Sequence, residues 1–314
     1  MGLVSSFVKN SLRDRPLLGK QRLLERYLAK TSRPLSSYSF LSLFLWKDFF
    51  DFEFEEVDGH LCVLAQNEVG CFLYLPPLSS FPHRGRKGVG VIEKYFQKMK
   101  LRNKGSGVTR IENIDQSQIP FFDERWYRVT KKADEYVYRR EDIAGLKGND
   151  YKSKRSDYNH FVKNNRYDFL SFEAGMISGC MDLYEHWAEE RLAASGDEVY
   201  RHMIEENRFV HRLAMDYYKE LDLVGRVVSV DDQIRAYTFG YRLNENTFCV
   251  LLEVADLSLK GLPTFIFSEF CRDDAVSPFE FINAMDDFGM ENVERTKLSF
   301  RPHKILPVYT ATQE

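Results

Sequence analysis

One order of elements occurs twice in this chain, and that repetition limits the fold more than any single motif. In the second half, Val227 to Val230, Ile234 to Leu243 and Thr247 to Val254 read as strands separated by Asp231-Asp232 and Asn244-Glu245-Asn246. Apolar runs broken by Asp and Asn are the pattern of an antiparallel meander. The first half has the same rhythm: Phe52 and Phe54 alternate with glutamates, Asp58-Gly59 turns, then Leu61 to Ala65 and Cys71 to Leu75 follow. A helix precedes each meander. Glu198 to Leu221 carries one apolar stripe, and Gln21 to Ala29 stops at Thr31-Ser32-Arg33-Pro34. A helix and a strand follow each: Ile92 to Leu101 then Val108 to Ile114, and Pro263 to Cys271 then Phe279 to Met285. The expectation is a mixed α/β chain made of two copies of one domain, residues 1–133 and 134–314, each with a mostly antiparallel central sheet. Residues 134–166 read as a basic segment connecting them. The period is too long for a solenoid.

At 44% hydrophobic over 314 residues, the chain has material for two cores. The longest apolar run considered, Phe40 to Leu45, is far too short to span a bilayer, so no transmembrane segment is expected. The N-terminus lacks the apolar core of a secretory signal, although Met1-Gly2 with Ser6 formally fits a myristoylation pattern. Five cysteines without a C-x-x-C pair point to a reduced, cytoplasmic chain, with Cys62, Cys71 and Cys249 as core residues. Seven histidines without ligand spacing give no reason to expect a metal. Charge is uneven. Residues 1–132 carry 22 Lys/Arg against 14 Asp/Glu, leaving 22 against 33 for the remainder. A basic half suggests a docked polyanion. The basic N-terminal stretch through Arg33 adds peripheral contact with an anionic membrane surface as a further expectation.

Three groups carry candidate chemistry. The first runs from Arg84 to Arg110 and holds nine basic residues against Glu93. Arg84, Arg86 and Lys87 with Gly88 and Gly90 open a helix, where backbone N–H groups can face a phosphate, and Lys94, Lys98 and Arg102 share a face further on. In the second, Lys152, Lys154 and Arg155 are interleaved with Tyr151, Tyr158 and Phe161, a mixture suited to a phosphate-bearing partner. The third gathers at strand ends: Glu253, Asn283, Asp286 and Asp287, with the cations Lys297 and Arg301 after them. A carboxylate in a partly desolvated cleft can take a proton from an attacking amine or hydroxyl, and cations can steady an oxyanion. No G-x-S-x-G or C-G-x-C-W context indicates a serine or cysteine nucleophile.

Order and spacing of these stretches resemble the family of bacterial proteins related to the C-terminal domain of phosphatidylglycerol lysyltransferases. Ser37 to Phe40 with Leu45 to Asp48 is similar to its S-x-F-x-x-L-x-x-W block. Tyr151 to Arg155, ending at Phe161, is similar to K-x-x-K-R-x-x-x-x-x-F, with the first lysine one position late at Lys152. Phe281 to Pro302 resembles N-R-E-x-D-x-G running into K-L-S-Y-x-P, with Ala284-Met285 in place of Arg-Glu. Glu253-Val254-Ala255 stands where the family tends to have E-K-A. The resemblance implies two tandem GNAT-type acyltransferase folds, as in Fem-type aminoacyltransferases. It implies transfer of an acyl or aminoacyl group from a phosphorylated carrier, aminoacyl-tRNA or acyl-coenzyme A, with Glu253, Asn283 and Asp287 at the chemistry. Lys152, Lys154, Arg155, Lys297 and Arg301 would hold substrate, and an anionic lipid head group is a further expected partner. Gly88 and Gly90 fit the GNAT pyrophosphate motif (Q/R)-x-x-G-x-(G/A), with Gly85 where Gln or Arg is usual. Two alternatives stay open: a coenzyme A-dependent N-acetyltransferase, and a non-catalytic binding protein that keeps the fold.

Overall fold

The computed structural model describes residues 17–31, 35–79, 87–104, 107–194 and 198–313. The chain divides into two compact units, residues 1–134 with 306–314, and residues 135–305.

In the first unit, α1 (Gln21–Leu28) and α2 (Phe40–Leu45) precede the strands β1 (Asp51–Val57), β2 (His60–Asn67), β3 (Gly70–Leu73) and the short β4 (Leu78–Ser79). The apolar sequence of α2 is explained by its complete burial, and Ser39 Oγ caps it by accepting from the Ser42 N–H at 3.2 Å. β1 and β2 form a hairpin over Asp58 (φ 52°) and Gly59 (φ 77°), the left-handed pair that matches strand twist. α3 (Lys87–Asn103) buries Val91, Ile92, Tyr95, Phe96 and Met99 against the sheet. β5 (Ile111–Asp115) then lies parallel to β3, in register at Leu73 and Ile111.

The second unit takes residues 135–139 of β6 (Tyr127–Arg139), then α4 (Arg140–Gly145), α5 (Lys152–Asn164), β7 (Tyr167–Ser171), α6 (Ile177–Ala194) and α7 (Glu198–Asp216). The meander follows as β8 (Val224–Val230), β9 (Gln233–Arg242) and β10 (Thr247–Ala255). Asp231 (φ 51°) and Asp232 (φ 61°) make its first turn in the same left-handed conformation as Asp58 and Gly59. Then come α8 (Leu262–Arg272), β11 (Phe281–Asp286) and α9 (Glu291–Leu298). The sheet order is β6-β11-β10-β9-β8-β7. Phe265 of α8 is fully buried, with the rings of Phe161 and Tyr167 at 4.7 and 4.6 Å. Burial of such a ring is worth about 2–3 kcal/mol, and it fastens α5 to α8.

Both meanders stand where the residues predict. The segment 134–166, expected to be a connection, is instead the end of a strand and two helices. The closing strands are exchanged between units. β6 follows β5 in the chain, yet its residues 135–139 pair with β11, from Phe281 opposite Arg139 to Asp286 opposite Glu135. β12 (Lys304–Gln313) follows α9, yet it pairs with β5 in the first unit, Val308 opposite Asp115.

Candidate active site

The parallel strands β10 and β11 stay in register for three pairs: Thr247–Phe281, Phe248–Ile282 and Cys249–Asn283. Past that point both depart from regular geometry. β10 bulges between Val250 and Leu252, and β11 shifts register between Asn283 and Asp286. Met285 takes φ 60°, a costly conformation for a residue with a side chain. Bulges bend and twist strands, and the pairing of β10 with β11 ends after Cys249–Asn283, the fork of this sheet.

Glu253 stands on the parted stretch of β10, opposite Thr238 of β9. Its side chain is accessible, yet desolvation by the surrounding protein pushes its carboxyl from 4.5 up to about 8. Solvent thus reaches the residue while the protein around it disfavours the charged form of its carboxyl. The nearby Thr238 hydroxyl and the positive charge of Lys297 act in the opposite direction, favouring ionisation. Thr238 is fully buried, and its Oγ1 makes no well-formed hydrogen bond.

Behind Glu253 lies a polar framework. Asn283 is fully buried; its Nδ2 donates to Glu135 Oε2 at 2.6 Å, and its Oδ1 accepts from the Met285 N–H at 2.7 Å. The second bond holds the backbone in its left-handed turn. Asp287 accepts from Tyr136 Oη at 2.6 Å and from the Gly289 N–H at 2.9 Å. Lys297, on α9, sends its ammonium back to the Ala284 carbonyl oxygen, with the Met285 carbonyl at 3.4 Å. Burial lowers its pKa, and the charges of Asp286, Glu135 and Asp287 hold it up. A cation is therefore fixed among carboxylates beside the fork. Of the expected catalytic groups, Glu253 is exposed, while Asn283 and Asp287 are buried and spend polar atoms on the framework.

The second group of candidates is drawn toward the third. Lys154 on α5 lies over the Phe300 ring at 3.9 Å, and Tyr151 Oη donates to the Phe300 carbonyl at 3.2 Å. Lys152 is exposed. Arg155 is used internally, donating to the carbonyls of Leu146 and, at 3.0 Å, Gly148. Arg301 is exposed, with φ 55°.

In the first group, Arg84 and Arg86 lie outside the described residues, and Lys87, Gly88 and Gly90 form the first turn of α3. Two cations of that helix are already matched: Lys98 pairs with Glu55, and Arg102 with Glu53 at 2.9 Å. The acidic alternation of β1 therefore answers two of the three cations, Lys94, Lys98 and Arg102, read as a basic face from α3 alone. The corresponding helix start in the second unit, at α8, is covered. A Cβ on Gly261 (φ 90°) would lie 2.0 Å from the Asp157 carbonyl oxygen of α5. The Leu262 N–H is bonded to Leu259 O at 3.1 Å, and Pro263 has no N–H to offer.

Sequence reasoning missed Glu135, Tyr136 and Thr238. Glu135 ends the charged run K-K-A-D-E directly before Tyr136-Val137-Tyr138, a position that could have marked it as entering a core. All five cysteines are free and buried. Among the described residues no helix is long and apolar enough to cross a membrane, and no cluster of three His, Cys, Asp or Glu could hold a metal.

An antiparallel meander followed by a helix and a strand parallel to the meander's last member, built twice in one chain, defines a tandem GNAT-type fold. The chain belongs to the family described as phosphatidylglycerol lysyltransferase, C-terminal, which matches residues 29–312. It is similar to a conserved protein of unknown function from Bacteroides thetaiotaomicron, with 24% identity and a TM-score of 0.80 over 95% of this chain and 97% of that one. It is also similar to L-PGS from Bacillus licheniformis, at 14% identity and a TM-score of 0.62 over 92% and 90%. A tandem GNAT protein of the clavulanic acid pathway superposes with a TM-score of 0.51 at 9% identity, over 96% and 95%. No curated protein sequence matches the chain.

Proposed function

We propose that this protein is an acyl- or aminoacyltransferase whose reaction occurs at the β10–β11 fork, with Glu253 as the proton acceptor. The observation that carries this reading is the enclosed yet accessible carboxyl of Glu253, held near neutral pH by desolvation beside Lys297. An amine or hydroxyl of the acceptor would attack the donor's carbonyl carbon. Glu253 takes the proton lost by the nucleophile, and the fixed Lys297 charge favours the tetrahedral oxyanion. Collapse breaks the bond to the carrier, whose oxygen or sulfur leaves with that proton. Asn283 and Asp287 hold the fork open, through Glu135, Met285 and Tyr136.

The covered start of α8 favours aminoacyl-tRNA over coenzyme A as donor. A pyrophosphate at that helix end needs free N–H groups and space, and Gly261, Pro263 and the Asp157 carbonyl deny both. The family is named for lysyl transfer, so lysyl-tRNA is the first donor to test.

The test is donor consumption by purified protein with labelled aminoacyl-tRNAs and with acyl-coenzyme A, each with a panel of amines and hydroxyl acceptors. Turnover with an aminoacyl-tRNA that rises with pH through about 8, and disappears in Glu253→Gln, is the expected result. Full turnover in Glu253→Gln, or no consumption of any donor, refutes the proposal.

A further inference from the structure

On the face of the second unit's sheet that carries Glu253, one row of side chains crosses three strands. Arg226 of β8 stands opposite Thr238 of β9, and Thr238 stands opposite Glu253 of β10. The next row on that face, Val228, Ala236 and Ala255, is apolar and buried together with Leu262, Phe265 and Ile266 of α8. At one end of the polar row the charge is answered, since Arg226 donates to Asp273 from Nε at 2.5 Å and from Nη2 at 2.8 Å. Thr238 in the middle is fully buried. Its Oγ1 is one of the few buried side-chain atoms among the described residues without a hydrogen-bond partner.

Such a hydroxyl costs stability. Burial removes its hydration, and no hydrogen bond within the fold offsets the loss, whereas valine would fill the same space without it. A branched side chain on a strand is stiff at χ1, so the hydroxyl has a set place. Which neighbour could it serve? Directly opposed side chains have Cβ atoms about 4.5–5.5 Å apart. On the Arg226 side the guanidinium offers donors alone and cannot accept from a hydroxyl. On the Glu253 side stands a carboxyl, whose charged form accepts at both oxygens. Thr238 therefore finds its strongest partner when Glu253 is ionised.

We propose that Thr238 is a positioning residue for Glu253: its hydroxyl donates to the carboxylate from the neighbouring strand, holds one oxygen, and leaves the other to take the proton of the nucleophile. This inference rests on Glu253 as the proton acceptor and adds the group that steadies its charged form. Desolvation opposes that form, and Lys297 of α9 favours it together with Thr238. The remaining titratable and charged groups around the carboxyl are Cys271 of α8, whose thiol burial keeps neutral, and Arg226 with its partner Asp273.

The experiment follows the Glu253 carboxyl carbon by 13C NMR of the intact protein across pH, its resonance assigned as the one missing from Glu253→Gln. Thr238→Val keeps the shape and removes the hydroxyl; Thr238→Ser keeps the hydroxyl. The native midpoint of about 8 should rise by about one pH unit in Thr238→Val, a tenfold loss of ionisation. Thr238→Ser should stay close to the native value. An unmoved midpoint in Thr238→Val, or an equal shift in Thr238→Ser, overturns the proposal. With a donor that gives turnover, Thr238→Val should lower kcat about tenfold at pH 7 with KM unchanged, and raising the pH should restore it. A loss of kcat that persists at every pH would count against the hydroxyl's role. The NMR result needs no turnover, so the two readings fail separately. A shifted midpoint in a protein that consumes no donor upholds the bond to Glu253 and removes the base. Turnover abolished by Glu253→Gln, with an unmoved midpoint in Thr238→Val, upholds the base and removes Thr238.

Discussion

Replacing Glu253 with Gln tests the desolvation of its carboxyl through stability alone, before any substrate is known. In the folded protein the carboxyl holds its proton up to about 8, against 4.5 for an unhindered glutamate. Below 4.5 both folded and unfolded chains bind that proton, and stability does not depend on pH through this group. Between 4.5 and about 8 the unfolded chain releases the proton first, so folding is progressively disfavoured as pH rises. Above about 8 the full penalty is present. The interval corresponds to at most about 5 kcal/mol at about 1.4 kcal/mol per tenfold change. Glu253 is accessible, and solvent screening reduces that ceiling to about 1–2 kcal/mol. Gln keeps the shape and cannot ionise. Urea unfolding of both proteins at pH 4.5 and pH 9 should therefore show similar stability at the lower value. At the higher value Glu253→Gln should be more stable by about 1–2 kcal/mol. A constant difference across this range, or a variant that loses ground as pH rises, would refute the enclosed carboxyl and the base derived from it.

Lys297→Met removes the cation set among Glu135, Asp286 and Asp287 and should cost about 3 kcal/mol in urea unfolding, together with turnover. Asn283→Ala leaves Glu135 and the Met285 N–H without these partners, so a loss of about 2–3 kcal/mol is expected by the same measurement. Gly261→Ala must clear a contact of 2.0 Å with the Asp157 carbonyl and adopt φ 90°, so a loss of at least about 2 kcal/mol should appear in chemical denaturation. Acetyl-coenzyme A should leave the melting temperature of the native protein unchanged, because the start of α8 is covered; a saturable rise would count against an aminoacyl-tRNA donor.

Local signals were strong where the sequence reading succeeded. Asp58-Gly59 and Asp231-Asp232 are left-handed turns between alternating or apolar runs, and such turns name a hairpin without help from the rest of the chain. α7 was visible through its single apolar stripe. α6 was not: its apolar residues, from Ile177 through Trp187 to Ala194, lie around the helix rather than on one face. β12 contains Pro307 and threonines, and β6 opens on charges; both become strands through partners far away in sequence. The site divides in the same way. The place of Glu253 on the last strand of the meander was legible from the apolar run around it. Glu135 was not, because its meaning depends on Asn283, 148 residues away. The basic face of α3 misled for a related reason, since Glu53 and Glu55 on another element answer its cations.

The exchanged closing strands have a consequence for biosynthesis. On the ribosome, β5 is made long before β12, and all of the intervening second unit must be translated before its partner arrives. Throughout that delay the nascent first unit presents an unpaired strand edge, the kind of surface on which chains stick to one another. Slow translation between β5 and β12 should then raise aggregation more than slow translation after β12 has been made. Chaperone dependence should likewise fall away once β12 has emerged.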